Sequence, residues 1–143
     1  DENIILIVSQ GELDRAIRNA IRIGIDNIVA WAEPELLLQV DGLDTMKEIT
    51  ALQFEQMDKV HVLDVRRLIE FEQGSISGAI NIAHTRLFDR LSELDKGKEW
   101  VVNCHAGSRS AAACMALKQE GFSVTNLAGG YKGWKEHTNC SLA

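Results

Sequence analysis

Residues 101–110, Val101-Val102-Asn103-Cys104-His105-Ala106-Gly107-Ser108-Arg109-Ser110, decide the fold of this chain. They read as a buried strand, a short loop and the first turn of an alanine-rich helix. Free amides at a helix start, with the helix dipole, stabilise negative charge, and Gly107 permits the tight backbone path that turns successive amides inward. Cys104 begins the loop. We expect a lowered pKa for its thiol, and the thiolate is the nucleophilic form of cysteine.

Strands and helices are predicted to alternate along the rest of the chain. The apolar pattern predicts strands at residues 4–8, 27–31, 60–65, 79–82, 100–103 and 124–127. It predicts a first helix that ends near residue 23, and further helices at residues 51–56, 67–73, 86–94, 108–120 and 131–136. Such alternation is typical of an α/β protein in which helices flank a parallel sheet.

Two of these helices begin with the spacing of a capping box, in which two side chains satisfy free amides of the first turn. Ser9 and Glu12 stand at the start of the first helix, and Thr50 and Gln53 at the start of the second. We therefore expect side-chain caps at both places.

A looser stretch, residues 33–47, separates two parts of the chain. It contains the single proline, Pro34, and a turn-like Asp41-Gly42. We place the domain boundary near Asp44, so that residues 1–44 form a strand-helix-strand unit and residues 45–143 form the larger domain.

A faint internal repeat relates the two parts. Residues 4–33, placed over residues 101–130 without gaps, align the glycines that follow the two helices. Ile7 then stands where the later copy has Cys104. The first unit is therefore similar to part of the second without its reactive residue, although two generic strand-helix-strand units could match this well by chance.

The composition excludes several classes of function. The formal net charge of -6 and the pI near 5.2 argue against a nucleic-acid partner, which needs clustered Lys and Arg. The longest apolar run, residues 4–8, is far too short for a membrane span of about 20 residues. Three cysteines without a CxxC spacing predict neither a disulfide framework nor a zinc knuckle, and favour a reducing compartment.

Three ordered motifs resemble those of the rhodanese family. Residues 63–71 (LDVRRLIEF) and 74–82 (GSISGAINI) are similar to its first signature, residues 104–109 (CHAGSR) to its active loop, and residues 127–134 (LAGGYKGW) to its closing motif. The likeness covers about residues 47–137. Many members carry one His and two Pro at positions outside the loop where this chain has Ser75, Ser77 and Ala83.

The resemblance implies a rhodanese-like parallel sheet and a two-step sulfur transfer. The Cys104 thiolate would attack a donor sulfur and become a persulfide, from which an acceptor such as cyanide or a thiolate would remove the outer sulfur. The loop amides would hold the extra negative sulfur. Substrate contacts are expected from the rest of the loop, which consists of His105, Ala106, Gly107, Ser108 and Arg109.

The length of this loop differs from that of cysteine phosphatases, which place five residues between Cys and Arg. Here only residues 105–108 lie between Cys104 and Arg109, so the cradle should be smaller and should suit a sulfur atom. Arg109 could attract an anionic donor. For His105 two roles are considered: its side chain donates a hydrogen bond to an anion, or it occupies a loop position that tolerates many residues.

Other residues are given supporting or structural roles. Asp64 and Arg66 end a strand on the side where open parallel sheets bind ligands, which makes them candidates to support the site. Arg66 and Glu70 are four apart, and for them we favour a structural ion pair over substrate contact. Cys114 is expected to pack in the core, and Cys140 to be an incidental exposed thiol.

The sequence thus predicts a sulfurtransferase that moves sulfane sulfur from thiosulfate, a persulfide or a polysulfide to a thiophilic acceptor through a Cys104 persulfide. In this interpretation residues 1–44 are a partial, degenerate rhodanese-like unit and residues 45–143 the catalytic domain. The alternative is a sulfur-carrier or regulatory module of a larger persulfide-handling protein. We expect no metal, no cofactor and no membrane partner, a cytoplasmic location, and either a homodimer or a covalently linked upstream domain.

Overall fold

The computed structural model describes residues 3–43 and 45–141, which divide into two compact units. The first unit lies within residues 1–44, and the second begins at Thr45. Asp44, near which the boundary was predicted, is outside the described residues. Among the helices of the described ranges, none combines the length and the apolar character that a membrane span requires.

The first unit is a strand-helix-strand arrangement, as predicted. Strand β1 (Ile4–Ile7) leads through a short 3-10 turn into helix α1 (Leu13–Arg22), and strand β2 (Ile28–Ala32) follows. The two strands pair in parallel, with Leu6 opposite Trp31. A second 3-10 stretch, Pro34–Gln39, follows β2 and was missed by the sequence interpretation.

The predicted cap at the start of α1 is wrong. The chain forms a 3-10 turn at Gln10–Glu12, and the Glu12 amide donates to the Ser9 carbonyl oxygen at 2.9 Å. The Ser9 side chain makes no capping hydrogen bond, and the Glu12 carboxylate pairs with Arg15 instead. The 3-10 turn thus satisfies the Glu12 amide through the Ser9 backbone carbonyl, and the Ser9 hydroxyl is not needed as a cap.

The second unit contains a five-stranded parallel sheet in the order β3-β7-β6-β4-β5. In chain order its strands and helices are β3 (Glu48–Ile49), α2 (Ala51–Glu55), β4 (His61–Asp64), α3 (Leu68–Glu72), β5 (Ile80–Asn81), β6 (Glu99–Asn103), α4 (Ser108–Gln119), β7 (Ser123–Leu127) and α5 (Gly130–Ser141). Strand β3, which lies outside every predicted strand, extends the sheet beyond β7.

Apolar side chains of this sheet belong to two buried clusters. In strand β6, Trp100 and Val102 belong to one cluster and Val101 to the other. Because successive side chains of a strand point to opposite faces, the two clusters lie on opposite faces of the sheet. The first includes residues of α4, and the second packs against residues of α2 and α5. Helices therefore cover both faces, as predicted.

Two local predictions have opposite outcomes. The capping box of α2 is confirmed, because the Gln53 amide donates to Thr50 Oγ1 at 3.2 Å and the Thr50 amide to Gln53 Oε1 at 2.8 Å. The helix predicted at residues 86–94 is wrong in its type. The chain forms two 3-10 stretches there, His84–Arg86 and Phe88–Glu93, and leaves helical geometry at Arg90. A short apolar pattern does not distinguish these two helix types.

Candidate active site

Cys104 lies at the carboxyl edge of the sheet. It follows β6, the central strand, and Asp64 at the end of the neighbouring β4 stands opposite Asn103 in the register. Open parallel sheets bind ligands at this edge. The loop from Cys104 leads directly into α4, which begins at Ser108.

The sulfur of Cys104 accepts hydrogen bonds from its own loop. The Gly107 amide nitrogen lies 3.1 Å from Sγ, and the Ser110 hydroxyl oxygen lies 3.4 Å from it. The Ser110 hydroxyl is also 2.9 Å from the Gly107 carbonyl oxygen, so its single proton serves one of these two acceptors at a time. Gly107 has a φ of 102°, a conformation that favours glycine and turns its amide towards the sulfur.

These contacts lower the pKa of the Cys104 thiol. Burial is the largest single influence and raises the pKa, since it disfavours the charged thiolate. Hydrogen bonds from the Ser110 hydroxyl and from the amides of Ser110, Ala106 and Gly107 act in the opposite direction and together outweigh burial. The loop therefore stabilises a thiolate although the residue is only 1% exposed.

The N-terminus of α5 holds this loop through backbone hydrogen bonds. The Tyr131 amide donates to the Cys104 carbonyl oxygen at 2.7 Å, and the Lys132 amide to the His105 carbonyl oxygen at 3.0 Å. With these carbonyls satisfied by α5, loop amides are left to face the sulfur. Helix α5 thus supports the geometry around Cys104.

Gly130 allows this close approach. A Cβ atom at this position would lie 2.5 Å from the Cys104 carbonyl oxygen and 2.8 Å from the His105 carbonyl carbon, and its φ is +58°. The sequence analysis placed Gly129-Gly130 in the closing motif and missed this contact. The paired glycines were the available signal, because a glycine often marks a close approach of two backbone segments.

Arg109 makes a bidentate ion pair with Glu70. Its Nη1 lies 3.0 Å from Glu70 Oε2 and its Nη2 lies 2.9 Å from Oε1. The hydrogen bond from Arg109 is the main cause that lowers the pKa of Glu70 from 4.5 to about 2, and the pair raises the pKa of Arg109. Glu70, which the sequence interpretation did not place in the site, therefore sits beside the active loop.

The predicted ion pair between Arg66 and Glu70 is wrong. Arg66 instead donates to Asp64, with Nη2 2.7 Å from Oδ2, and to the Gly74 carbonyl oxygen at 2.8 Å. Both members of the Asp64–Arg66 pair are buried. The backbone turns at the end of the strand, where the Arg66 amide also donates to Asp64. The Arg66 side chain therefore pairs with the Asp64 carboxylate rather than with Glu70.

The buried Asp64–Arg66 pair contacts residues next to the active loop. The guanidinium carbon of Arg66 lies 4.1 Å from the centre of the Tyr131 ring, at the start of α5. Asn103, which precedes the cysteine, donates to Asp64 Oδ2 at 3.1 Å. Asp64 thus contacts Asn103, the residue before Cys104, and Arg66 contacts Tyr131, whose amide binds the Cys104 carbonyl oxygen.

The remaining residues singled out in the sequence differ in their exposure. His105, Ala106 and Ser108 are exposed at its surface. Cys114 is buried in α4, where burial, with a smaller contribution from Glu48, raises its pKa to about 12. Cys140 is exposed in α5.

A groove of about 450 Å³ adjoins the loop at Ser108 and Arg109. Its walls are mostly alanine and other apolar side chains, and the sequence interpretation did not find it. Within the described ranges, no group of three or more His, Cys, Asp and Glu side chains is placed to hold a metal ion.

Comparison with known proteins assigns the family. Residues 45–137, more than half of the chain, match the family described as the rhodanese-like domain. The chain belongs to this family, in agreement with the resemblance of its three motifs.

Three similar proteins illustrate the relationship. The thiosulfate sulfurtransferase GlpE of Shewanella oneidensis is 31% identical over 98 residues, which are 66% of this chain and 97% of that protein. A rhodanese-related protein of Thermoplasma volcanium superimposes with a TM-score of 0.61 at 36% identity, covering 64% of this chain and 92% of that one. The NAD-dependent persulfide reductase of A. fulgidus gives a TM-score of 0.56 at 34% identity, with 70% of this chain and 17% of that chain covered.

Proposed function

We propose that this protein is a sulfurtransferase that carries sulfane sulfur as a persulfide on Cys104. The observation that carries the proposal is the sulfur of a buried cysteine with a lowered pKa, hydrogen-bonded by the Gly107 amide and within reach of the Ser110 hydroxyl. A stabilised thiolate at the end of a central strand is suited to attack sulfur. Similarity to a thiosulfate sulfurtransferase supports the same reaction class.

In the first step the Cys104 thiolate attacks the outer sulfur of the donor. With thiosulfate, a new sulfur–sulfur bond forms on Cys104 while the donor bond between sulfur and sulfite breaks, and sulfite leaves with the electron pair. The product is a Cys104 persulfide anion. Gly107 and its neighbours in the loop supply amides near the new negative charge, and residues 105–109 form the substrate-binding loop.

In the second step an acceptor removes the outer sulfur. Cyanide attacks it, thiocyanate leaves, and the Cys104 thiolate is restored with its electron pair; a thiolate acceptor would instead gain a persulfide. Both the resting and the loaded forms carry one negative charge at the loop. The same hydrogen-bond donors can therefore serve both states.

The test compares sulfur transfer from thiosulfate to cyanide by the wild type, Cys104→Ser and Cys140→Ser. Cys140 is exposed and far along α5, so its variant is the matched control. We expect turnover and one added sulfur by mass spectrometry in the wild type and in Cys140→Ser, and neither in Cys104→Ser. Absence of added sulfur with thiosulfate, persulfide and polysulfide donors alike would refute the proposal.

The second candidate is a sulfur-carrier or regulatory module of a larger protein. It is favoured by the likeness to the NAD-dependent persulfide reductase, in which the matching region is only 17% of the chain. A Cys104 persulfide that forms with donor but turns over negligibly with cyanide or small thiols would select this candidate. Three expectations from the sequence stay predictions. They are that residues 1–44 are a degenerate repeat, that the protein forms a homodimer or is linked to an upstream domain, and that it is cytoplasmic.

A further inference from the structure

The buried Ser110 hydroxyl is a hydrogen-bond donor that can change its partner beside the reacting sulfur. Its oxygen lies 3.4 Å from Cys104 Sγ and 2.9 Å from the Gly107 carbonyl oxygen. A hydroxyl hydrogen rotates to suit its acceptors, whereas the direction of a backbone N–H is fixed by the chain. Ser110 can therefore donate to the sulfur in one state of the enzyme and to the carbonyl oxygen in another.

Turning the hydroxyl to the sulfur leaves no acceptor unpaired. The Gly107 carbonyl oxygen has a second donor, because the Ala111 amide near the start of α4 donates to it at 2.9 Å. This carbonyl stays hydrogen-bonded when the Ser110 proton leaves it, so the usual penalty for a buried acceptor without a partner does not arise. Ser110 is completely buried, and bulk water does not compete for its proton.

The charge on Cys104 Sγ changes during the proposed sulfur transfer. Sγ carries the negative charge in the thiolate, whereas in the persulfide the charge lies mainly on the outer sulfur. When an acceptor attacks the outer sulfur, the sulfur–sulfur bond breaks and its electron pair returns to Sγ, which is the leaving group. A thiol of lower pKa leaves faster, and a thiolate of lower pKa is a weaker nucleophile. A donor to Sγ therefore accelerates the second step rather than the attack of the first.

We propose that Ser110 is a catalytic residue of the second step, whose hydroxyl turns from the Gly107 carbonyl oxygen to Cys104 Sγ as the outer sulfur leaves. This inference rests on the proposed sulfur transfer and assigns one side chain to one half of it. The hydroxyl donates a hydrogen bond and transfers no proton. With cyanide as acceptor, thiocyanate carries the outer sulfur away and Cys104 is left as the thiolate. In the resting enzyme burial raises the pKa of Cys104, and the hydrogen bond from this hydroxyl lowers it.

The test measures the two half-reactions separately at a single pH. This pH lies on the plateau of iodoacetamide alkylation for every variant, where Cys104 is fully ionised. Loading is followed as sulfite released from thiosulfate in a single turnover, and unloading as thiocyanate formed when cyanide is added to the isolated persulfide. Ser110→Ala should slow unloading at least about tenfold, because it removes a donor to a developing negative charge. Loading should change by less than about threefold, since the thiolate without this donor is a slightly better nucleophile.

Ser123→Ala is the matched control, because it removes an exposed hydroxyl at the start of β7. Both of its rates should equal those of the wild type. A second comparison uses Ser110→Thr and Ser110→Val, which have the same shape and differ in the hydroxyl. The Thr variant should unload at least about tenfold faster than the Val variant. This pair answers the question even if Ser110→Ala does not fold.

Three results would overturn the inference while leaving sulfur transfer intact. They are unchanged unloading in Ser110→Ala, equal slowing of both half-reactions in that variant, and equal unloading by the Thr and Val variants. Equal slowing would mean that Ser110 only maintains the shape of the loop. A wild type that forms no persulfide would instead refute the proposed function.

Discussion

Replacing Gly130 by alanine should damage the active loop from a position outside it. The new Cβ would lie 2.5 Å from the Cys104 carbonyl oxygen, 2.8 Å from the His105 carbonyl carbon and 2.9 Å from the Ala106 nitrogen. All three are backbone atoms, so no flexible side chain can move aside. Either the loop or the start of α5 must shift, and the hydrogen bonds between them must lengthen.

Gly121 provides a matched control, because it also has a positive φ, +85°, but a Cβ at this position would meet nothing within 4 Å. An alanine in this conformation costs about 1–2 kcal/mol. Gly121→Ala should therefore lose about 1–2 kcal/mol of the free energy of unfolding. Gly130→Ala adds an overpacking cost of about 1–3 kcal/mol, for a total of about 2–5 kcal/mol.

The assay combines urea unfolding with sulfur transfer under conditions in which both variants are folded. Gly130→Ala should lose tenfold or more in kcat/KM, since a displacement of about 1 Å at a reacting group can cost about a hundredfold. Gly121→Ala should lose less than about twofold. If the two variants are equally stable and equally active, α5 does not hold the loop in its active geometry.

Two further substitutions test the charges of the site. Ser110→Ala removes a hydroxyl donor and should raise the pKa of Cys104, seen as iodoacetamide alkylation that begins at higher pH; an unchanged profile would contradict this. Glu70→Gln removes a carboxylate whose pKa falls from 4.5 to about 2, so the stability it contributes is present above pH 4.5 and lost towards pH 2. In urea unfolding, the stability difference from wild type should shrink over that interval, and a constant difference would count against the pair.

The sheet was predictable because its strands are short, apolar and separated by helical patterns. Strand β6 and helix α4 agree with the prediction to within one residue at each end. Strand β3 was missed because two residues, Glu48 and Ile49, are too few to show a period. The pattern at residues 86–94 located a helical segment but did not determine its type.

The loop was predictable from local sequence, whereas its supports were not. Cys104, Gly107 and Arg109 are close in the chain, so their spacing alone indicates the geometry. Glu70 meets Arg109 across 39 positions, and a partner at that distance leaves no local signal. For Arg66 the spacing was misleading, because two carboxylates were available and a strand end favoured the nearer one.

The burial of Cys114 bears on the lifetime of the persulfide proposed on Cys104. Burial, with a smaller contribution from Glu48, raises its pKa to about 12, so at pH 7 the residue is held almost entirely as the neutral thiol. Thiol–disulfide exchange proceeds through thiolates, so Cys114 is a very slow attacker of a persulfide on Cys104. For the persulfide proposed on Cys104, Cys114 therefore offers no rapid internal exit through this helix.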